Sequence, residues 1–193
     1  MNYSITKNGK PLDKKLYTID EKTKTFSSNE SGLVLDFSDE YGWVFNTNSD
    51  CTFKTDSDCT FDTGFGCTFD TGPDCTFKTG SDCTFDTGYD CTFKTGYDCT
   101  FKTDSDCTFD TSYDCTFNTG YDCTFKTGFD CVVVRRDIFE VIKLKEGKKI
   151  RLNGYSIKGY KVLVKKATKD TTTKEMTVAE VSEKLGYDIK IIK

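Results

Sequence analysis

The middle of the chain alternates apolar and polar residues in a unit that recurs every eight residues. The unit is Cys-Thr-Phe-x-Thr-Gly-x-Asp, and ten copies of it span residues 51–130. Alternation with a period of two is typical of a β-strand, and it places Cys, Phe and the second Thr on one face. The first x is charged in nine of the ten copies, so the opposite face must meet water. The Cys and Phe face is therefore predicted to form the core.

The Gly-x-Asp part of the unit predicts a tight turn between successive strands. Gly is replaced by Asp56, Asp104 and Ser112 in three copies. We expect the Gly position to adopt left-handed backbone, which Asp tolerates and Ser tolerates less well. The Asp side chain at the end of the unit is expected to accept hydrogen bonds from N–H groups of the turn.

Eight residues make too small a loop to enclose a Phe ring, whereas two units make a two-sided coil with one strand on each side. The sequence therefore predicts an all-β fold, a two-sided parallel β-solenoid with two octads, or 16 residues, per coil. Phe is expected to meet Phe at the centre of the coil. The predicted core consists of Cys59, Cys67, Cys75, Cys83, Cys91, Cys99, Cys107, Cys115, Cys123, Phe61, Phe69, Phe77, Phe85, Phe93, Phe101, Phe109, Phe117 and Phe125.

The segments on either side of the repeat lack the regular octad pattern and are predicted to form caps. Residues 1–42 form a predicted N-terminal cap with a hairpin turn at Asn8 and Gly9, and residues 43–134 form the octad-repeat solenoid. Residues 135–166 are predicted as a β-rich C-terminal cap. Residues 167–193 are predicted as a linker and a small helix-strand appendage, whose short C-terminal helix begins at a capping box near Thr177 and ends at Gly186.

The end of the repeat carries a feature that bears on assembly. The run Val132-Val-Val134 is β-branched and would leave an open strand edge, which is covered either by the chain's own strands or by another chain. We expect a homo-oligomer, specifically a homodimer formed through residues 131–193, because this basic segment also complements the acidic repeat.

Charge divides along the same boundaries. Residues 51–130 carry 15 Asp and 5 Lys, residues 131–193 carry 16 Lys and Arg against 8 Asp and Glu, and the whole chain has a formal net charge of −4. There is no run of about 18 apolar residues and no signal-peptide pattern, so we expect a cytoplasmic protein, with reduced thiols and no membrane contact.

The 11 cysteines and the recurring Asp positions are the residues of the repeat that could ligate a metal. Structural zinc sites favour closely spaced pairs such as Cys-x-x-Cys, and in-register stacked Cys side chains have poor disulfide geometry, so buried free thiols are the favoured interpretation. The Gly-x-Asp turn resembles calcium-binding solenoid turns but lacks their paired glycines, and Gly66 replaces one Asp. No cofactor and no metal is predicted.

Enzymatic activity is not predicted. The chain has no histidine, which excludes His-based triads and His metal sites. Equivalent Cys residues provide no unique nucleophile, and no phosphate-binding loop or separate carboxylate pair is present.

Aromatic residues in the second x of the unit form a predicted stripe beside Asp, which suits protein contact. Packing of these rings on neighbouring coils is an equally good interpretation. The predicted interaction surface comprises Tyr89, Tyr97, Tyr113, Tyr121, Arg135 and Arg136, with Phe65 and Phe129 in the same stripe.

The octads, together with the exit sequence Cys131-Val-Val-Val-Arg-Arg-Asp-Ile-Phe-Glu-Val-Ile, resemble those of octapeptide-repeat β-solenoid proteins of phages and other viruses. The C-terminal Met176-Thr-Val-Ala-Glu-Val-Ser-Glu-Lys-Leu-Gly segment resembles short tails of phage-type proteins. The resemblance implies a viral or mobile-element origin, and it brings no catalytic motif with it.

The sequence thus predicts a non-catalytic structural or protein-interaction solenoid, whose protein partner could belong to a host. An acidic mimic of nucleic acid that inhibits a host nucleic-acid-binding protein is the alternative, and a calcium-stabilised solenoid is the third hypothesis. Direct nucleic-acid binding is not expected.

Overall fold

A computed structural model describes residues 2–164 of the chain and shows a β-solenoid made of two ten-stranded sheets. One short 3-10 helix, Lys14–Leu16, lies near the N-terminus, where the Asp13 side chain accepts a hydrogen bond from the N–H of Lys15. The strands are β1 Ser4–Lys7, β2 Lys10–Pro11, β3 Thr18–Asp20, β4 Thr25–Ser27, β5 Leu33–Phe37, β6 Val44–Asn46, β7 Thr52–Thr55, β8 Thr60–Asp62, β9 Thr68–Thr71, β10 Thr76–Lys78, β11 Thr84–Thr87, β12 Thr92–Lys94, β13 Thr100–Lys102, β14 Thr108–Asp110, β15 Thr116–Thr119, β16 Thr124–Lys126, β17 Val132–Arg135, β18 Glu140–Lys143, β19 Lys149–Leu152 and β20 Tyr160–Val162.

Strands that are two apart in the chain pair in parallel, and equivalent residues of the repeat stay in register. Phe77, for example, pairs with Phe61 on one side and with Phe93 on the other. The parallel part of one sheet contains the odd-numbered strands β5 to β17, and that of the other contains the even-numbered strands β4 to β16. Each coil therefore takes two octads, which confirms the predicted 16-residue coil, and the solenoid contains about seven coils.

The core is a ladder of Phe rings flanked by columns of Cys. Phe93 stacks on Phe77 and Phe109 of the same sheet at 4.8 and 4.9 Å between ring centroids. It meets Phe85 and Phe101 of the facing sheet edge-to-face at 5.2 Å. Every predicted core Cys and Phe is at most 1% exposed. Each buried Phe contributes about 1.5–3 kcal/mol, so the repeated ladder is the main source of stability.

The parallel coils begin earlier in the chain than the recognisable octads. β4 pairs in parallel with β6, and β5 pairs in parallel with β7, with Leu35 opposite Phe53. A complete coil therefore lies within residues 1–42, the segment predicted as a cap. The predicted hairpin turn joins β1 and β2, and both Asn8 and Gly9 have positive φ, as that turn type requires.

Antiparallel strands close both ends of the parallel stack. At the N-terminal end β1 pairs with β5 and β3 with β4. At the C-terminal end β18 pairs with β17, β19 with β16, and β20 with β19. The open edge of Val132-Val-Val134 is thus covered by the chain's own strand β18. The predicted linker from residue 167 onward and the predicted C-terminal helix lie outside the described residues.

Candidate interaction surface

The turns between the sheets line up into two long edges of the solenoid. One edge consists of turns 64–66, 80–82, 96–98, 112–114 and 128–130 and is called the Tyr97 edge. The other consists of turns 56–58, 72–74, 88–90, 104–106 and 120–122 and is called the Tyr89 edge. Because the outward positions of the strands hold Thr and a charged or amide residue, the exposed aromatic residues of the octads lie on these edges.

The left-handed residue of each turn is Asp, and the prediction that it would be Gly is wrong. In the octads φ at the final position lies between 53° and 62° for Asp, and Gly66, which replaces Asp once, has φ 66°. None of the glycines at the sixth position of the octad has positive φ. Asp is one of the few non-glycine residues that adopt this conformation at low cost, so backbone geometry explains why Asp recurs here.

Glycine recurs for a different reason, which is the close approach of successive coils. A Cβ atom on Gly88 would lie 2.7 Å from the backbone N of Pro73, and one on Gly72 would lie 2.9 Å from the backbone N of Ser57. Both positions contact the turn of the preceding coil. Sequence reasoning missed this contact because it joins residues that are about one coil apart in the chain.

The Asp side chains of the turns do not have the predicted hydrogen-bond role. Asp56, at the Gly position of its turn, accepts a hydrogen bond from the N–H of Ser57 at 2.8 Å, but within residues 2–164 no carboxylate at the final octad position accepts one from a turn N–H. Instead, the Asp backbone N–H groups donate to carbonyl oxygens of the next coil, as from Asp82 to Tyr97 at 3.0 Å. Desolvation of the carboxylate and the charges of Asp58 and Asp90 raise the pKa of Asp74. The carboxylates therefore form two lines of like charge.

These carboxylates do not assemble into a cation site within the described part of the chain. In residues 2–164 no group of three or more Cys, Asp or Glu side chains has an arrangement that could hold a metal ion.

The aromatic stripe is divided between the two edges, which corrects the prediction of a single stripe. Phe65, Tyr97, Tyr113 and Phe129 belong to the Tyr97 edge, and Tyr89 and Tyr121 belong to the Tyr89 edge. Tyr97, Tyr113 and Phe129 stack in parallel with ring centroids 4.9 Å apart. Three of the rings pack on neighbouring coils, as one of the two interpretations expects. Rings of the stripe also remain on the surface: the exposed fraction is 56% for Phe65, 49% for Tyr89, 40% for Tyr97 and 48% for Phe129.

Arg135 does not belong to an exposed surface, and its assignment to one is wrong. Its side chain is fully buried, and its Nη2 lies 2.6 Å from an Asp137 oxygen. Its Nη1 donates to the carbonyl oxygen of Ile157 at 2.5 Å. Arg135 pairs with Thr119 in the sheet, so it occupies the inward position of the second Thr of the octad. Continuing the octad alternation past Cys131 would have placed it inside.

Arg136 does lie on the surface, where it connects two coils. Its guanidinium lies 2.6 Å from an oxygen of Asp104 and also donates to the carbonyl oxygen of Thr103. Tyr121 is half-buried and meets Tyr155 of the cap edge-to-face at 5.5 Å. The C-terminal cap therefore contacts the Tyr89 edge and restrains its last two coils.

The eleven cysteines of the octad columns are free and buried. Each thiol lies near carbonyl oxygens of the turns; that of Cys83, for instance, is 3.4 Å from the oxygen of Ser81 and 3.8 Å from that of Gly64. The neighbouring Cys115 thiol and burial raise the pKa of Cys99 to about 11. The shifts differ in direction along the columns, since a hydrogen bond with the Cys115 thiol lowers the pKa of Cys131 to about 7. Burial, and not a common pKa, is what the eleven thiols share.

Comparison of the chain with protein-family models, with curated proteins and with solved structures finds no match. In residues 2–164 there is no helix long and apolar enough to cross a membrane.

Proposed function

We propose that this protein is a non-catalytic solenoid scaffold that binds a protein partner along its edges. The observation that supports this most is the set of exposed aromatic rings on the two edges, each directly followed by an Asp or, at Phe65, by Gly66. Aromatic residues are enriched at the centres of protein interfaces. The stacked rings are already ordered by their neighbours, so a partner would lose little side-chain entropy in binding them.

The surroundings of the thiols support the non-catalytic part of the proposal. The cysteines repeat the same buried contacts from coil to coil, so no single Cys stands apart as a nucleophile. The resemblance of the octads to those of phage and viral repeat proteins supports a viral or mobile-element origin.

Site-specific photo-crosslinking in cells that produce the protein tests the proposal. A photoreactive phenylalanine analogue would replace Tyr97 on the edge or Thr92 on the outward face of β12. We expect a discrete crosslinked protein from position 97 and none from position 92, because both positions are exposed but only the first is aromatic. Equal crosslinking from both positions, or none from either, would contradict an edge-directed interaction.

The regular Asp lines support a second candidate, an acidic mimic of nucleic acid. Apart from Gly66, the final octad position supplies one carboxylate per coil on each edge, and Asp56 and Asp104 add a second one in two coils of the Tyr89 edge. The spacing along the solenoid axis is about 4.8 Å, whereas duplex DNA carries one phosphate per about 3.4 Å of each strand. Such a mimic would bind a basic nucleic-acid groove, and its affinity would fall steeply with salt concentration. A partner that co-purifies without crosslinking and is released between 50 and 200 mM salt, in about the proportion that DNA is released, would favour this candidate.

We also propose a homodimer that forms through the C-terminal cap. The Val132-Val-Val134 edge is occupied by β18, but the cap exposes apolar side chains at Phe139, Val141 and Val162. Sedimentation of the full chain and of residues 1–166 tests it. A monomer at tens of micromolar for the full chain would exclude the dimer, and a dimer that survives truncation would place its interface in the cap.

A further inference from the structure

The Tyr89 edge contains a gap in its line of aromatic residues. The second x of successive coils is Pro73, Tyr89, Ser105 and Tyr121 along this edge. Where three consecutive coils carry rings, as at Tyr97, Tyr113 and Phe129, each ring occupies one spacing of 4.9 Å. Tyr89 and Tyr121 are two coils apart, and the coil between them carries only the small Ser105 at this position. By the same spacing per coil, one planar group would fit between the rings of Tyr89 and Tyr121.

A cleft of about 420 Å³ lies at this gap. It is lined by Tyr89, Asp104, Ser105, Gly120, Tyr121, Arg136 and Asp137. Tyr121 meets Tyr155 of the cap edge-to-face, and Arg136 forms an ion pair with Asp104. The walls of the gap are therefore supported before any ligand enters.

The charges around the gap favour a cation. Arg136 and Asp104 neutralise one another, and Asp122 is paired with Arg151 at 3.2 Å. Asp90 and Asp106, which directly follow Tyr89 and Ser105, form no ion pair within residues 2–164 and are exposed. The π-face of a tyrosine ring is also negative, and it attracts a cation placed over it.

We propose that the gap at Ser105 binds the guanidinium group of an arginine side chain, sandwiched between the rings of Tyr89 and Tyr121. Guanidinium is planar, always charged and weakly hydrated, and it stacks on aromatic faces. The compact ammonium of lysine cannot fill a slot shaped for a planar group. The gap thus differs from the continuous Tyr97–Tyr113–Phe129 ladder, whose inner ring faces cover one another.

The identification of the ligand as part of a protein rests on the proposed function, whereas the affinity of the gap for guanidinium does not. The probes are therefore small molecules: N-acetyl-arginine amide, N-acetyl-lysine amide and N-acetyl-phenylalanine amide. Binding is followed by NMR on the ring signals of Tyr89 and Tyr121 in the full chain. We expect saturable shifts with the arginine probe, and binding about tenfold weaker with the lysine probe because lysine lacks the planar fork.

Ser105→Tyr is the decisive variant, because it fills the gap with a ring that other coils already carry at this position. The midpoint temperature of its thermal unfolding is expected to match or exceed that of the unmodified chain. Ser81→Tyr is the matched control, since Ser81 lies between Phe65 and Tyr97 on the other edge. Shifts at Tyr89 and Tyr121 should vanish in Ser105→Tyr and persist in Ser81→Tyr.

Three results would overturn the proposal: no saturable shift with the arginine probe, shifts that persist in Ser105→Tyr, or a phenylalanine probe that binds as tightly as the arginine probe. Photo-crosslinking reports separately on the proposed function. Arginine binding without an edge-crosslinked protein would support the guanidinium site and contradict the proposed function. Crosslinking without arginine binding would support the proposed function and contradict the guanidinium site.

Discussion

Within each octad, the position of a residue decides which physical constraint it meets. Phe and Cys are at most 1% exposed in the core, while the residue after Phe faces water. The turn Asp adopts left-handed backbone and the turn Gly admits the neighbouring coil. Four different constraints thus act within eight residues, and each can be tested by one substitution.

Phe93→Ala in the middle of the solenoid should lower the free energy of unfolding by about 3–5 kcal/mol, since it removes a ring that contacts four others and leaves a cavity. Lys94→Ala, its outward neighbour, should cost less than about 0.5 kcal/mol. Urea unfolding monitored by circular dichroism measures both. Comparable losses would mean that the inward and outward faces are assigned wrongly.

Asp82→Val should destabilise by about 1–2 kcal/mol, because a β-branched residue must then adopt φ 59°. Asp82→Gly should be close to neutral, since glycine adopts this backbone freely. Asp70→Val, on an outward strand position, serves as the control and should change stability by less than about 0.5 kcal/mol. Thermal unfolding of the three variants decides the matter, and a tolerated Val at position 82 would refute the backbone explanation.

At the scale of the strand, the solenoid solves two problems of a parallel sheet, open ends and like charges. Both sheets finish in antiparallel strands that cover the parallel edges, and such covered edges resist uncontrolled association. Along the faces, Lys78, Lys102 and Lys126 each lie within 2.9 Å of an Asp oxygen in the preceding coil. These pairs are exposed, so each contributes at most about 1 kcal/mol. The buried Arg135 pair in the C-terminal cap is the stronger electrostatic contact.

Arg135→Ala should destabilise by about 3–5 kcal/mol because it leaves the buried Asp137 carboxylate without its partner. Arg136→Ala, which removes a surface pair with Asp104, should cost less than about 1 kcal/mol. Chemical denaturation of both variants at neutral pH gives the comparison. Similar losses would show that the burial of Arg135 contributes nothing.

The same pair gives a pH dependence with a definite sign. Although burial acts to raise it, hydrogen bonds from Arg135 and Ser156 hold the pKa of Asp137 below its usual value. Its contribution is therefore fully present above the ordinary Asp pKa of about 3.9 and is lost as the pH falls toward the lower folded value. Arg135→Ala should flatten this part of the stability curve; an unchanged acid limb would assign it to other carboxylates.

Considered as a whole, the molecule is a stack of nearly equivalent coils between two caps. Each coil contacts mainly the coils before and after it, so stability is approximately a sum of coil and interface contributions. The acidic edges and the stacked aromatic rings follow the 16-residue period of the coil, and the gap at Ser105 interrupts it. Length should consequently be adjustable in whole coils but not in single residues.

Deletion of residues 83–98, which is one complete coil, should leave a cooperatively folded protein with a smaller dependence of unfolding free energy on denaturant, because less surface is buried. Deletion of Thr92 alone should be far more damaging, since it turns the rest of β12 by one position and exposes Phe93. Circular dichroism and urea unfolding compare the two. A single-residue deletion that is better tolerated than the coil deletion would contradict the in-register ladder.

The sequence alone predicts the period, the inward face and the two-sided coil. These follow from local alternation and from the space that a Phe ring needs, which are properties of one octad or of two. It also indicated the hairpin at Asn8 and Gly9, where the turn residues act within four positions of the chain. The tertiary structure was needed to assign the roles of Gly88 and Asp82, because the contact that leaves no room for a side chain at Gly88 comes from the turn of another coil. It likewise decided the burial of Arg135 against a cap residue, the division of the aromatic residues between two edges, and the gap between Tyr89 and Tyr121. Each of these depends on which residues 16 or 32 positions apart become neighbours, a relation that exists only once the chain is wound.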